Sequence, residues 1–218
     1  MFEVLDDVDT GYLDQMLLDR SLVRPVRWKK LRRIPYAHIK TWCVRQGIYQ
    51  LPTCELIDWL REAIGGRSAI EICAGRSCLG RPLGIPMSDS YLHLHPDMQR
   101  MYQMLKQTPT QPPDDVERLT ANEAVAKYKP QVVIGAWVTQ YGTEGLDQTN
   151  PCGTKEEEIL DTGCIYIHIG NVGAHGKKRI LERPHLEFSY PWLVGRGIDR
   201  SLNRIWVWNA RATDVHHR

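Results

Sequence analysis

The sequence lacks the patterns of a membrane protein, a secreted disulfide module or a zinc module. No apolar run reaches the roughly 20 residues that a bilayer-spanning helix needs. The acidic start, MFEVLDDVD, lacks the charged-then-apolar order of a signal peptide. The six cysteines form no C-x-x-C pair and no short His/Cys metal spacing, which predicts reduced thiols. We therefore expect a cytoplasmic protein with no bound metal and no membrane partner.

An excess of charge of one sign is also missing, since 28 Lys and Arg residues against 26 Asp and Glu leave a net charge of +2. This balance excludes neither nucleic acid nor a small molecule as a partner. With 218 residues, 42% of them apolar, the chain is long enough for one domain with a sizeable core and an extension. We place the boundary after residue 51, with a basic and aromatic extension at 1–51 and the main domain at 52–218.

The most informative segment, residues 68–90, has the pattern of a nucleotide site. A short β-branched run, Ala69–Ile72, is followed at once by the small residues Cys73, Ala74, Gly75 and Ser77, so a backbone turn is expected to approach a ligand closely. In nucleotide-binding βαβ units, an acid after the second strand accepts hydrogen bonds from ribose hydroxyls, about 20 residues beyond the glycine turn. Asp89 lies near that place. The alternative is a tight strand-to-helix turn that binds nothing.

These residues resemble the first motif of the class I S-adenosylmethionine-dependent methyltransferases, which have a Rossmann-like fold. That motif is an acid followed by three small positions at every second residue, and Glu71, Cys73, Gly75 and Ser77 fit it with one glycine retained. The resemblance covers about residues 52–209 and implies S-adenosylmethionine as cofactor. The cofactor-binding residues that it implies are Glu71, Cys73, Ala74, Gly75, Ser77, Asp89, Thr120, Ala121, Gly135 and Trp137.

Alternating strand and helix patterns along the rest of the chain indicate an α/β protein. The run at 131–138 is continuously apolar, as expected of a parallel strand covered on both faces. The other expected strands are 117–120, 164–169, 186–189 and 204–208; the expected helices are 54–64, 122–129, 155–161 and 177–182. The resemblance implies a Rossmann-like, seven-stranded, mostly parallel sheet with helices on both faces and the last strand antiparallel.

By the same resemblance, the loop after the fourth strand borders the transferred methyl group, which makes Gln140 and Tyr141 candidate catalytic residues. Trp137, at the strand end, contacts the substrate or packs in the core. The loop at 170–176 is rich in glycine and contains His175, a candidate base. Pro151 and Cys152 lack the setting of a cytosine-C5 nucleophile and predict a turn. The Asp/Asn-Pro-Pro-aromatic tetrad is missing, which argues against methylation of exocyclic amines in DNA.

Basic residues concentrate near the N-terminus and alternate with aromatic residues, a pattern typical of nucleic-acid binding. The alternatives are a partner-protein interface, or a solvated helical face whose Trp28, Leu31 and Trp42 pack on the sheet. The candidate phosphate-binding residues are Arg24, Arg27, Lys29, Lys30, Arg32 and Arg33.

Two other functional classes remain open. A methyltransferase-like chain that has lost catalysis would be a binding or scaffold protein. A nicotinamide-dependent reductase needs a G-x-G-x-x-G turn, which residues 73–78 do not supply. The sequence does not identify the methyl acceptor.

Overall fold

The computed structural model describes residues 8–104, 107–139 and 153–215. In these residues the strands are β1 (Leu18–Asp19), β2 (Leu22–Val23), β3 (Ala69–Ile72), β4 (Ser88–Asp89), β5 (Glu117–Arg118), β6 (Val132–Ala136), β7 (Ile165–Asn171), β8 (Leu186–Phe188) and β9 (Asn203–Trp208). The α-helices are α1 (Asp14–Leu17), α2 (Trp28–Leu31), α3 (Tyr36–Arg45), α4 (Cys54–Ile64), α5 (Gly80–Leu83), α6 (Pro96–Met104), α7 (Ala121–Tyr128), α8 (Glu156–Asp161), α9 (Val172–His175) and α10 (Ala212–Val215). Four 3-10 helices cover Gly11–Leu13, Leu92–Leu94, Arg179–Glu182 and Arg200–Leu202.

The main sheet has five strands in the order β3-β6-β7-β9-β8. Strands β3, β6 and β7 are parallel, with Ile70 opposite Val133 and Val133 opposite Tyr166. Strand β9 runs antiparallel to both of its neighbours. The sheet is therefore mixed.

The predicted single seven-stranded, mostly parallel sheet is wrong. Strands β4 and β5 form a separate two-stranded parallel sheet, and β1 and β2 form another two-stranded sheet. Among the described residues, one β-bridge between Glu71 and Met87 and a backbone hydrogen bond from Ala74 N to Ser88 O join β3 and the turn after it to the chain around β4. The physical reason lies in the chain on either side of β4. Pro86 has no N–H for a ladder bond, and Tyr91 has a left-handed φ of 58° that turns the chain away.

Two hydrophobic clusters cover the two faces of the main sheet, as the alternation of side chains along strands requires. Ile134 and Ile167 point to the face covered by α4. Val133 and Tyr166, one residue earlier on each strand, point to the face covered by α7 and α8. Both faces are buried, which explains why β6 is an apolar run without polar alternation and why Tyr166 and His168 of β7 are buried as well.

The helix that precedes β3 begins and ends where its sequence predicts. The Thr53 hydroxyl caps α4 by accepting a hydrogen bond from Leu56 N at 3.1 Å, and Gly65 ends the helix with a φ of 55°. A capping box between Thr120 and Glu123 starts α7, and Pro130 follows its end.

The N-terminal segment has a hydrophobic cluster of its own, which includes Leu31 and Trp42 and is joined by Cys78 and Val194 from the main domain. The expectation that Trp28, Leu31 and Trp42 pack on the main sheet is therefore wrong. Trp42 is buried and donates from Nε1 to Asp14 at 2.7 Å, so its ring is not available to stack on a base. In the described ranges, no helix combines the length and the apolar composition that a membrane crossing requires.

Candidate functional site

A cleft of about 370 Å³ lies where the chain leaves β3, β4, β5 and β6. Because these strands run parallel in their pairs, their carboxyl ends open on the same edge, which is where open α/β sheets bind ligands. The residues that line the cleft are Tyr49, Cys73, Gly75, Asp89, Ser90, Leu92, His93, Tyr102, Thr110, Thr120, Ala121, Asn122, Ala136, Trp137, Thr139, Gly153 and Thr154.

In the turn after β3, every second residue has a positive φ. Cys73, Gly75 and Ser77 have φ values of 50°, 50° and 55°, all in the left-handed region that favours glycine. These are the three small positions of the predicted motif. Two of them carry a side chain there, at a cost of about 1–2 kcal/mol per residue. The conformation therefore explains why small residues recur at every second position.

Asp89 connects this turn to the end of β4. Its Oδ2 accepts a hydrogen bond from Gly75 N at 2.9 Å, and its Oδ1 accepts one from Tyr91 N at 2.8 Å. A carboxylate offers about four lone-pair sites, so acceptor capacity for about two further donors remains. Asp89 is half-buried in the cleft and is held in place by backbone groups alone.

Glu71 does not line the cleft. Its Oε2 accepts a hydrogen bond from Gly80 N, the first residue of α5, at 2.7 Å. Burial raises the pKa of this carboxyl to about 8, although the backbone hydrogen bond from Gly80 opposes that shift. The structure places Glu71 as a buried link between β3 and the start of α5.

The structure brings six of the ten predicted cofactor residues together. Cys73, Gly75, Asp89, Thr120, Ala121 and Trp137 line the cleft, whereas Glu71, Ala74, Ser77 and Gly135 do not. Gly135 serves packing instead, because a Cβ there would lie 2.6 Å from the side chain of Val138. Ser77 is buried, with no hydrogen-bond partner for its hydroxyl among the described residues.

Trp137 forms the wall of the cleft at the end of β6. Its φ of 55° is rare for a bulky residue, so the surrounding structure must hold it. Its amide donates to Ile169 O at 2.8 Å, and its Nε1 lies 3.4 Å from Gln50 Oε1. The rings of Tyr49 and His175 pack against it at centroid distances of 5.9 and 5.1 Å.

A proline-rich segment, residues 107–113, lies across the glycine turn. A Cβ built at Gly75 would be 2.8 Å from Thr110 Cγ2, and the Thr110 hydroxyl donates to Gly47 O at 2.8 Å. The sequence Thr-Pro-Thr-Gln-Pro-Pro at 108–113 predicts a loop between the second and third strands, in a position to close over a site. Thr110 of this loop does line the cleft. The segment closes the side of the cleft next to Gly75.

The structure does not bring His175 to the cleft. The predicted glycine-rich loop is instead the end of β7 and the short helix α9, and His175 lies behind Trp137 with its Nδ1 3.0 Å from Asn171 N. Burial lowers the pKa of His175 to about 3, so the ring is neutral at pH 7. The two other predicted catalytic residues, Gln140 and Tyr141, lie outside the described residues.

A buried polar cluster lies next to Thr154 of the cleft. The Glu156 carboxylate accepts hydrogen bonds from Lys178 Nζ at 2.6 and 2.8 Å and from the Tyr166 hydroxyl at 2.7 Å. Glu156 and Lys178 are 0% and 5% exposed. Three successive glutamates at 156–158 predict, from the sequence alone, an exposed first turn of a helix. This prediction is wrong for Glu156.

His168 joins this buried cluster without a hydrogen bond of its own. Both of its ring nitrogens are buried and have no hydrogen-bond partner among the described residues, although its Nδ1 lies 3.7 Å from Glu156 Oε1. Its ring stacks on Trp206 at 5.6 Å and meets His175 edge-on at 4.9 Å. Burial holds its pKa well below the usual range. From the sequence, His168 is either a titratable site residue or a histidine packed within the sheet, and the structure supports the second interpretation.

Several cleft residues were not predicted from the sequence. Asn122 adjoins the predicted residues Thr120 and Ala121, and His93 follows Asp89 closely, so proximity in the chain was a signal for these two. Thr139 lies in the loop that the resemblance to the methyltransferases places next to the methyl group. Tyr49 and Tyr102 come from two separate segments. Only the tertiary fold brings them to the cleft.

The predicted phosphate-binding residues lie on the surface of the N-terminal segment. Arg27, Lys29, Lys30, Arg32 and Arg33 are exposed. Arg24 differs from these, because its guanidinium donates to Met16 O at 2.9 Å and Gln15 O at 2.8 Å. A wide groove of about 750 Å³ is lined by Arg24, Arg27, Lys29 and Lys30, with Tyr12 and Met16 among its other residues.

Within the described part of the chain, no cluster of three His, Cys, Asp or Glu side chains has the arrangement of a metal site. Burial raises the pKa of the Cys73 thiol to about 12, so this cleft cysteine is not a thiolate at neutral pH. Comparisons with protein-family models, with curated proteins and with solved structures find no match to this chain.

Proposed function

We propose that the protein is an S-adenosylmethionine-dependent methyltransferase. The observation that carries the proposal is Asp89, a half-buried carboxylate in the cleft whose two backbone hydrogen bonds leave acceptor capacity for a pair of hydroxyl donors. A ribose presents such a pair. The left-handed turn formed by Cys73, Gly75 and Ser77 lies directly beside that carboxylate and supports the same interpretation.

The lining of the cleft fits the rest of such a cofactor. Leu92 and Ala121 supply apolar surface and Asn122 supplies an amide for an adenine ring, while Cys73 and Gly75 border the side where the amino acid portion would lie. When bound, the cofactor supplies an electrophilic methyl group on a sulfonium. Trp137 and Thr139, after β6, border the space for the acceptor.

The protein's main contribution to this reaction is orientation. A methyl transfer needs the nucleophile in line behind the methyl carbon, and holding two reactants in that geometry lowers the barrier. The fixed backbone of Trp137 supplies a rigid wall for this purpose. His175 is too deeply buried to contact an acceptor without movement. Gln140 and Tyr141 remain predicted catalytic residues.

We propose nucleic acid as the acceptor class, because the exposed cations on α2 and just after it are suited to a phosphate backbone. These are Lys29, Lys30, Arg32 and Arg33. Neutralising Arg32 and Arg33 to Gln should weaken binding of a single-stranded oligonucleotide. It should also reduce the slope of log K against log salt by about 0.7 for each lost contact. Binding with an unchanged slope would contradict this acceptor.

Methyl transfer tests the proposal as a whole. Tritiated S-adenosylmethionine and single-stranded RNA or DNA should give labelled nucleic acid with the wild-type protein. Thr139→Trp, at an exposed position on the acceptor side, should retain cofactor binding and lose the transfer. Cofactor binding without label in either nucleic acid would contradict the acceptor class.

A second candidate function is a binding or scaffold protein without catalysis. The observation that favours it is the close packing of residues 109 and 110 on Gly47 and Gly75, which narrows the cleft beside the turn. This candidate predicts that Glu71→Ala and Asp89→Ala leave partner binding unchanged. A methyltransferase predicts lost cofactor affinity in the Asp89 variant.

A further inference from the structure

Arg196 lies beside the cleft with an unusual set of contacts. Its guanidinium carbon is 3.4 Å from the centre of the Tyr49 ring, and Tyr49 lines the cleft. Its Nη1 is buried and has no hydrogen-bond partner among the described residues. No carboxylate of those residues forms an ion pair with it. Partly buried charges in proteins are normally paired.

The backbone on either side of Arg196 fixes its position relative to the cleft. The Tyr36 hydroxyl lies 2.8 Å from Gly195 O and 2.6 Å from Gly197 O, within hydrogen-bond distance of both. Arg196 N donates to Tyr49 O at 3.0 Å. Cβ atoms at the two glycines would lie 3.2 and 3.4 Å from the Trp137 ring, so this segment packs directly on the cleft wall. The guanidinium is therefore held in place and is not a freely moving surface group.

The described surroundings of Arg196 offer hydroxyl groups, and no described carboxylate forms an ion pair with it. The Tyr49 and Tyr102 hydroxyls are 3.4 Å apart at this end of the cleft. Burial raises the pKa of Tyr102, and the positive charge of Arg196 acts in the opposite direction, which indicates that the two groups are close. A guanidinium fork beside two hydroxyls is suited to a planar or tetrahedral group of anionic oxygens.

From this unpaired, fixed guanidinium we infer that Arg196 binds an anionic oxygen group of the ligand that occupies the cleft, with the Tyr49 ring as its support. The inference rests on the proposed function and adds a site that the sequence did not predict. Two sources supply this chemistry: the carboxylate of the cofactor's amino acid portion and a phosphate of the nucleic-acid acceptor. Arg200, whose guanidinium carbon is 5.2 Å from the Trp28 ring, lies four residues further on and borders the basic surface.

The test measures three affinities for wild-type, Arg196→Gln, Arg196→Lys and the charge control Arg61→Gln. Arg61 is exposed on α4, with Asp58 as its ion-pair partner. The ligands are S-adenosylhomocysteine, 5′-methylthioadenosine, which lacks the carboxylate, and a single-stranded oligonucleotide. Thermal unfolding of each variant verifies that it is folded. Arg196→Lys keeps the charge, so it provides the readout if the Gln variant does not fold.

If Arg196→Gln lowers the affinity for S-adenosylhomocysteine about tenfold and leaves the affinity for methylthioadenosine unchanged, the anionic group that Arg196 binds is the cofactor carboxylate. A similar loss for the oligonucleotide alone assigns it to a phosphate. In either case Arg196→Lys should lose less, because it keeps the charge but not the fork. Unchanged affinities for all three ligands, or equal losses for the two nucleosides, overturn the inference. If wild-type protein binds neither nucleoside, the proposed function fails, and the oligonucleotide measurement alone decides the role of Arg196.

Discussion

The amide of Gly75 donates a hydrogen bond of 2.9 Å to the carboxylate of Asp89. This contact ties the turn after β3 to the end of β4, although the two strands belong to different sheets. A β-bridge between Glu71 and Met87, a backbone hydrogen bond from Ala74 N to Ser88 O and this side-chain bond therefore align two elements that share no continuous ladder. The cleft depends on that alignment, since residues from both elements line it.

In the left-handed turn, replacing a residue by glycine should stabilise the protein, which is uncommon. Ser77→Gly should stabilise the protein by about 1 kcal/mol, because it removes the cost of a Cβ at a φ of 55° at the expense of some added chain entropy. It also removes a buried hydroxyl that has no partner among the described residues. Urea unfolding measures the change. Ala74→Gly, one of the intervening positions without a positive φ, is the control and should destabilise. Equal destabilisation by both substitutions would contradict the strain argument.

Glu71 predicts a dependence of stability on pH. Its pKa in the folded state is about 8, above the value of 4.5 for a free glutamate, so the folded state retains the proton longer. The corresponding stability is fully present below pH 4.5 and is lost as the pH rises through about 8, by a few kcal/mol. Glu71→Gln should remove this decline from unfolding free energies measured between pH 5 and 8.5. Glu62→Gln, on the exposed side of α4, should retain the wild-type decline. The same slope in all three proteins would refute the assignment.

The buried pair of Glu156 and Lys178 predicts a large loss on removing one partner. Lys178→Met should destabilise the protein by about 3–5 kcal/mol, because it leaves a buried carboxylate without its cation and with the Tyr166 hydroxyl as its remaining described hydrogen-bond donor. The double variant Glu156→Gln, Lys178→Met should recover part of that loss. Denaturant unfolding of the four proteins of this cycle gives the coupling energy.

The exposed pair of Arg61 and Asp58 is the control for that cycle, and Arg61→Met should change stability by less than about 1 kcal/mol. If Lys178→Met also lowered the free energy of unfolding by less than about 1 kcal/mol, the account of a desolvated ion pair beside the cleft would be wrong.

Local signals in the sequence predicted local structure well. Thr53 and Gly65 delimit α4, the β-branched run gives β3, and the small residues at every second position mark the left-handed turn. Each of these features is determined by neighbours in the chain. The strand-and-turn pattern also placed Asp89 in a ligand site, whereas Trp137 was named from the resemblance to the methyltransferases; both residues line the cleft.

Long-range features were not predictable in this way. The predicted strands at β4 and β5 exist, but their two-residue length keeps them out of the main sheet, and strand association depends on contacts between distant segments. Three successive glutamates resembled an exposed helix start, whereas the partner that buries Glu156 is 22 residues away. No neighbouring residues in the sequence distinguish Arg196 from other arginines. Its proposed role depends on its contact with Tyr49, which is distant from it in the chain.

The most direct test of the account is calorimetric titration of the folded protein with S-adenosylmethionine and S-adenosylhomocysteine. We expect dissociation constants in the micromolar range or below for the wild-type protein, about −8 kcal/mol. Asp89→Ala should weaken both by about tenfold or more, through loss of charged hydrogen bonds to the ligand. Asp58→Ala, on the surface of α4, should bind as wild-type does. Absence of binding of either compound to folded wild-type protein would contradict the proposed cofactor site.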